Sequence, residues 1–149
     1  MTLADDATPT LLSQKPSWLI SQISMRAHRL LTERLATAGA RGYHFRLLAA
    51  LEEFGPASQA SLGRRTEMDR SDVVAAINEL EVRKLAERAT DQNDRRRNVI
   101  TITAKGRAHL RRLDALLAAA QDELLAPLSP GERQAFVGML TRLMDYHTG

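Results

Sequence analysis

The segment Glu87-Arg88-Ala89-Thr90-Asp91-Gln92-Asn93-Asp94-Arg95-Arg96-Arg97-Asn98, continuing through Val99-Ile100-Thr101-Ile102-Thr103-Ala104-Lys105-Gly106, restricts the fold more than any other part of the chain. Residues 98–103 are rich in β-branched side chains and residues 91–94 in turn formers, so the segment spells strand, turn, strand. Its turn carries three consecutive arginines beside two carboxylates.

Helical patterns precede the hairpin. Leu19, Ile23, Ala27, Leu30, Leu31 and Leu35 recur at three- and four-residue steps and predict a helix from residue 17 to about Gly39. A shorter helix over residues 43–54 stops at Gly55-Pro56, where glycine takes the left-handed terminal conformation and proline cannot extend the helix. Ser58 caps a short helix to about Arg65, and Thr66-Glu67-Met68 makes a turn. Asp69 caps a longer helix to about Lys84, with Asp72 three residues on as a capping-box-like partner. A short helix, a three-residue turn and a longer helix form a helix-turn-helix, and the hairpin that follows makes it a winged helix.

Beyond the hairpin, Thr103 caps a long helix whose apolar positions include Leu110, Leu113, Leu117, Ala120 and Leu124, ended by Pro127. Ser129-Pro130-Gly131-Glu132 starts a last helix with a cap, a proline at the first helical position and a carboxylate at the third. Its apolar stripe is Phe136, Val137, Leu140, Leu143 and Met144. The expected fold is mainly α: a winged helix-turn-helix of three helices and a two-stranded β wing, flanked by N- and C-terminal dimerisation helices. Residues 1–16 read as a flexible lead-in, residues 17–42 and 107–149 as the helical dimerisation region, and residues 43–106 as the DNA-binding region.

The net charge of +3 matters less than where the charge lies. Between Arg64 and Arg112 stand 13 Lys or Arg against 8 Asp or Glu, whereas the rest of the chain has more acidic than basic residues. A basic middle third suits a polyanionic partner, with a solvated basic face as the alternative on charge alone. No cysteine is present, which excludes disulfides and thiolate metal sites, and no metal or other cofactor is expected. Residues 1–10 carry Asp5 and Asp6 and lack the apolar run of a signal peptide, and no stretch approaches the roughly 18 apolar residues of a membrane span. The expected location is the cytoplasm.

On the longer helix of the helix-turn-helix, Val73, Ile77, Leu80 and Lys84 lie within about 40 degrees of one direction, and the first three face the core. Ser71, Ala75, Asn78 and Val82 fall on the opposite side, with Asp72 and Glu79 at the margin. That outer face is small enough to enter a major groove. Asn78 can bond adenine at N6 and N7, Ser71 can reach a phosphate or a base edge, and Arg70 is placed for phosphate. Asp72 either accepts from cytosine or serves the helix end. Arg95, Arg96 and Arg97 at the hairpin tip can track a minor groove or phosphates, and Asp94 orients one guanidinium by a bidentate pair.

With these elements in order, the chain resembles a MarR-family transcriptional regulator over about residues 17–147. The wing signature stands here as Asp91-Gln92-Asn93-Asp94-Arg95-Arg96 followed by Ile102-Thr103-Ala104-Lys105-Gly106. Gln59-Ala60-Ser61-Leu62-Gly63-Arg64-Arg65 and Asp69-Arg70-Ser71-Asp72-Val73-Val74 match the helix-turn-helix in order and spacing. The resemblance implies that Asp94 braces the wing, that Arg96 enters the minor groove with Arg95 nearby, and that Ser71 lies on the recognition helix. Ala75 stands where members often carry a long basic residue, which shifts the expected contacts toward Asn78 or Arg70.

The apolar stripes of residues 17–38 and 107–147 exceed what a small winged helix can cover, so they are expected to pair with a second copy through Leu113, Leu117, Leu140, Leu143 and Met144. An intramolecular bundle is the alternative. A two-fold dimer on double-stranded DNA calls for an inverted-repeat operator spaced by about one helical turn. Trp18, His28, Tyr43 and His44 combine flat bodies with polar handles on the first two helices, and with Arg46 they suit a phenolic or aromatic carboxylate ligand; core packing is the plainer role for each. The expected function is a homodimeric repressor released from its operator by such a ligand. A winged-helix module for non-specific DNA binding or protein contact is the alternative. The histidines lie in separate segments with no phosphate loop or nucleophile elbow, so an enzyme is not expected.

Overall fold

The structure is a computed structural model and describes residues 6–149. The first five residues of the expected lead-in lie outside the described residues. In chain order the elements are α1 (Thr10–Ser13), α2 (Pro16–Ala36), α3 (Gly42–Phe54), β1 (Ala57–Ser58), α4 (Gln59–Thr66), α5 (Arg70–Val82), β2 (Ala86–Thr90), β3 (Asn98–Ile102), α6 (Ala104–Leu124) and α7 (Pro130–Thr148). No helix among the described residues is long and apolar enough to cross a membrane.

Local chemistry accounts for most helix ends. Pro16 opens α2, at a position where its missing N–H is no loss. Gly55 closes α3 at φ 81°, in the region that favours glycine. Ser58 Oγ accepts from Ser61 N at 3.2 Å, Thr103 Oγ1 from Gly106 N at 2.9 Å, and Ser129 and Glu132 form a reciprocal capping box. Three expectations differ. Asp69 occupies the N-cap of α5 without any side-chain hydrogen bond, because its main chain alone receives Val73 N. Helix α5 stops at Val82 rather than Lys84: Lys84 turns left-handed at φ 61°, and Leu85 N returns to Leu80 O at 2.8 Å. Within the expected flexible lead-in, α1 forms a single turn on the Pro9 carbonyl.

The wing sheet has a third strand. β1 pairs antiparallel with β3, which pairs antiparallel with β2, giving the order β1-β3-β2. Ala57 lies opposite Ile100, and Thr90 opposite Asn98 at the far end of the hairpin. Two residues are too few to show alternation, so β1 leaves no periodic signal in the sequence.

The chain divides into two compact units, residues 28–118 and the two ends together, with the divisions falling inside α2 and α6. In the central unit Leu47, Leu48 and Leu51 of α3 form the core with Leu62 of α4, Val73, Ile77 and Leu80 of α5, and Ile100 of β3. Each such burial contributes about 1.5–3 kcal/mol against exposure. This core fixes α5 against α3 and the sheet, so its outer face and the wing are carried by one rigid body. The terminal unit contains α7, none of whose residues is buried.

Candidate nucleic-acid interface

The inward positions expected for α5 are buried, and Ala76 joins them. Arg70, Ser71, Ala75, Asn78 and Val82 are exposed and Asp72 is half-buried. Asp69, Arg70, Ser71, Val74, Ala75 and Asn78 border one shallow concavity along the helix. With alanine at 75, nothing long projects from this turn.

The wing tip is a seven-residue loop locked by its two aspartates. Asp91 Oδ1 accepts from Asn93 N at 2.9 Å, and its Oδ2 from Arg97 Nη2 at 3.0 Å. Asp94 Oδ1 accepts both the backbone N of Arg96 at 3.0 Å and its Nε at 3.2 Å. Asp94 thus grips Arg96 through one oxygen, not by the expected bidentate guanidinium pair, because the carboxylate also serves the backbone turn. Main-chain bonds from Asp91 N to Arg97 O and from Arg97 N to Asp94 O close the loop. The Asn93 N–H and then the Arg97 guanidinium hold the Asp91 carboxyl below the usual range; for Asp94 the cause is the Arg96 side chain and then the Arg96 N–H. The three arginines therefore have different settings. Arg97 is tied into the loop, Arg96 is held at its root with its side chain 91% exposed, and Arg95 is exposed.

Between the wing, α4 and α5 lies an open concavity of about 660 Å³. Arg64, Arg70, Arg96 and Arg97 line it together with Gln59 and Asn98, and no carboxylate does. Four guanidiniums around a dent whose lining has no carboxylate suit a polyanion, although Arg96 and Arg97 are also paired with Asp94 and Asp91 of the loop.

Two residues that sequence reasoning left aside shape this face. Arg88 of β2 donates from Nη2 to Asn78 Oδ1 at 2.8 Å, so the Asn78 carboxamide is not free as expected. Only its place in the basic third marked Arg88 beforehand. Arg41, just before α3, donates through its guanidinium to Glu79 Oε1 of α5. The Arg41 N–H also donates to His44 Nδ1 at 3.0 Å, which leaves the hydrogen on Nε2 to meet Glu79 Oε2 at 2.6 Å. Arg41 first and then His44 hold the Glu79 carboxyl below its usual range.

That network reassigns His44. The ring is 4% exposed with both nitrogens occupied, so it cannot serve as the expected ligand handle; it anchors α5 instead. Tyr43 is half-buried against the core, while Arg46 and His28 are exposed. Trp18 falls in the terminal unit. Neither concavity described above includes any of these residues. Leu113 is likewise reassigned: it is wholly buried in its own chain's core, leaving no surface for a partner, and Leu117 packs partly against that core. Leu140, Leu143 and Met144 are exposed on α7, 37%, 49% and 60% respectively.

Comparison with known proteins places this geometry. The model of the MarR family matches residues 37–97. A crystal structure of a probable transcriptional regulator from Pseudomonas aeruginosa is 31% identical, covering 89% of this chain and 98% of that one with a TM-score of 0.78. The transcriptional repressor CouR, solved on a 23-mer DNA duplex, is 25% identical over 93% of this chain and 98% of its own, with a TM-score of 0.83. BpsR from Bordetella bronchiseptica, whose DNA binding is regulated by 6-hydroxynicotinic acid, is 25% identical over 93% of this chain and 99% of its own, with a TM-score of 0.78.

Proposed function

Because this chain belongs to the MarR family of winged helix-turn-helix transcriptional regulators, we propose that it acts as a homodimeric repressor on an inverted-repeat operator. The observation that carries this is the concavity in which α4, α5 and the wing bring Arg64, Arg70, Arg96 and Arg97 together without a carboxylate. A phosphate backbone running through it neutralises these cations, while the small outer face of α5 enters the major groove and Arg96, with Arg95 beside it, reaches the adjacent minor groove. CouR, a repressor bound to DNA, supports the same placement by its likeness.

The second copy is supported by α7. Val137, Met139, Leu140, Leu143 and Met144 are exposed along a helix with no buried residue, more apolar surface than a lone chain keeps in water. Two-fold pairing presents two α5 helices to one face of the duplex, with half-sites about 10–10.5 base pairs apart. Release by a small aromatic acid is supported by BpsR, and in the central unit of this chain Tyr43, Arg46 and His28 are the remaining aromatic and cationic groups for it. Such a ligand acts only through its differential affinity for DNA-competent and DNA-incompetent dimers.

The test is selection of bound fragments from genomic DNA, followed by titration of the selected and a scrambled duplex at rising salt. A specific regulator keeps a ratio of roughly 10³ or more between them. Loss of both affinities in parallel would instead support a non-specific DNA-coating or protein-contact module. Aromatic carboxylates are then screened for release of the selected duplex.

A further inference from the structure

Asn78 stands on the outer face of α5 and is exposed. A carboxamide can read a base pair in two ways. With both ends free to turn it accepts from adenine N6 and donates to N7; with its oxygen turned onto a neighbouring donor, the end it presents to a base edge is the NH2 group.

The hairpin decides between the two. Arg88 Nη2 lies 2.8 Å from the Asn78 carboxamide. A guanidinium donates at every nitrogen and accepts at none, so the atom that meets it has to be Oδ1, and Nδ2 has to point away. The usual ambiguity of amide orientation is thereby removed. Arg88 is half-buried, and its Nε–H is buried with no hydrogen-bond partner, so the Asn78 oxygen is the acceptor that meets this confined charge. A base edge approaching the pair encounters the Nδ2 hydrogens, with a positive charge behind them. Adenine and cytosine bring amino hydrogens toward those donors, whereas guanine brings two acceptors side by side, O6 and N7.

We propose that Arg88 and Asn78 form a donor-only reading pair that selects guanine once in each half-site, with Arg88 as the positioning residue that turns the Asn78 carboxamide. The inference rests on the DNA-binding function proposed above and specifies its chemistry at one base. The wing hairpin then contributes to major-groove reading through Arg88 on β2, in addition to the minor-groove contact proposed for its tip.

The experiment is selection of full-length protein on a DNA library randomised across the operator, repeated with three variants. The position whose preference collapses in Asn78→Ala identifies the base that is read. Wild-type protein is expected to prefer guanine there by about ten-fold over adenine, and 7-deazaguanine at that position to weaken binding about five-fold. Arg88→Met frees Oδ1, so adenine becomes as acceptable as guanine at that position while preferences elsewhere and the Tm stay unchanged. Asn78→Asp tests the same point with Arg88 intact and with no buried group altered: it turns both ends into acceptors and abolishes the guanine preference. Adenine preferred by the wild type at that position, guanine retained in Arg88→Met or in Asn78→Asp, or no position responding to Asn78→Ala would overturn the inference. Absence of sequence preference anywhere in the wild type is a different result, and it removes the regulator function itself.

Discussion

Gly106, in the first turn of α6, sits so close to the Leu85 carbonyl that a β-carbon on it would overlap that oxygen and lie 2.9 Å from Ile102 Cγ1. The approach is built by Thr103, whose N–H donates to Leu85 O at 3.2 Å and whose hydroxyl donates to Lys84 O at 2.8 Å while capping Gly106 N. The Thr103-Ala104-Lys105-Gly106 run therefore seats the start of α6 against the root of the hairpin. Gly106→Ala should destabilise the protein by about 1–3 kcal/mol through forced displacement of β2 or α6, measured by urea unfolding. An unchanged midpoint would show that the contact yields without cost.

Removing Arg96 or Arg97 should have different consequences. Arg96 is held at its root but otherwise exposed, so Arg96→Ala should weaken operator binding about ten-fold or more at moderate salt while leaving the Tm in place. Arg97 ties the loop through Asp91, so Arg97→Ala should also loosen residues 91–97, seen as faster amide exchange there. Equal exchange in the two variants would argue against the division of labour.

His109 on α6 supplies a pH dependence. It is 9% exposed with Nε2 buried and unpartnered. Burial first, then the charges of Arg83, Arg112 and Lys105, lower its pKa from the ordinary histidine value. The folded state thus disfavours the proton that the unfolded chain accepts near pH 6.5. The stabilising contribution is present above about pH 6.5 and is lost as pH falls below that value. The Tm should drop between about pH 7 and 5, and His109→Leu should flatten that slope. Identical slopes would assign the effect to another group. The lowered carboxyls of Glu79, Asp91, Asp94 and Glu132 act in a separate, more acidic window, stabilising above their unfolded values near 4 and ceasing to do so on further acidification.

In the proposed homodimer, Leu140→Glu should separate the two copies, since a carboxylate placed in an apolar contact meets no partner there. Sedimentation should show the monomer mass, and operator affinity should fall as the second half-site contact is lost. Because Leu140 is 37% exposed in the single chain, helix content should be little changed. A dimer of normal stability would mean that α7 is covered in another way.

How much of this was legible beforehand follows from the range of each signal. The caps at Ser58, Thr103 and Ser129, the stop at Gly55, the inward stripe of Val73, Ile77 and Leu80, and the arginine-tipped hairpin all depend on residues within a few positions of one another, so the order of residues along the chain was enough to read them. Folding alone settled contacts between residues far apart in that order. Arg88 faces Asn78 because the hairpin folds back along α5, His44 is consumed by Glu79 from 35 positions away, and β1 exists only because β3 offers it an edge. Leu113 carries the same helical spacing as its neighbours, yet lies in its own core rather than on a shared surface. Periodicity tells which face of a helix is apolar; which body covers that face depends on how the three-dimensional chain closes upon itself.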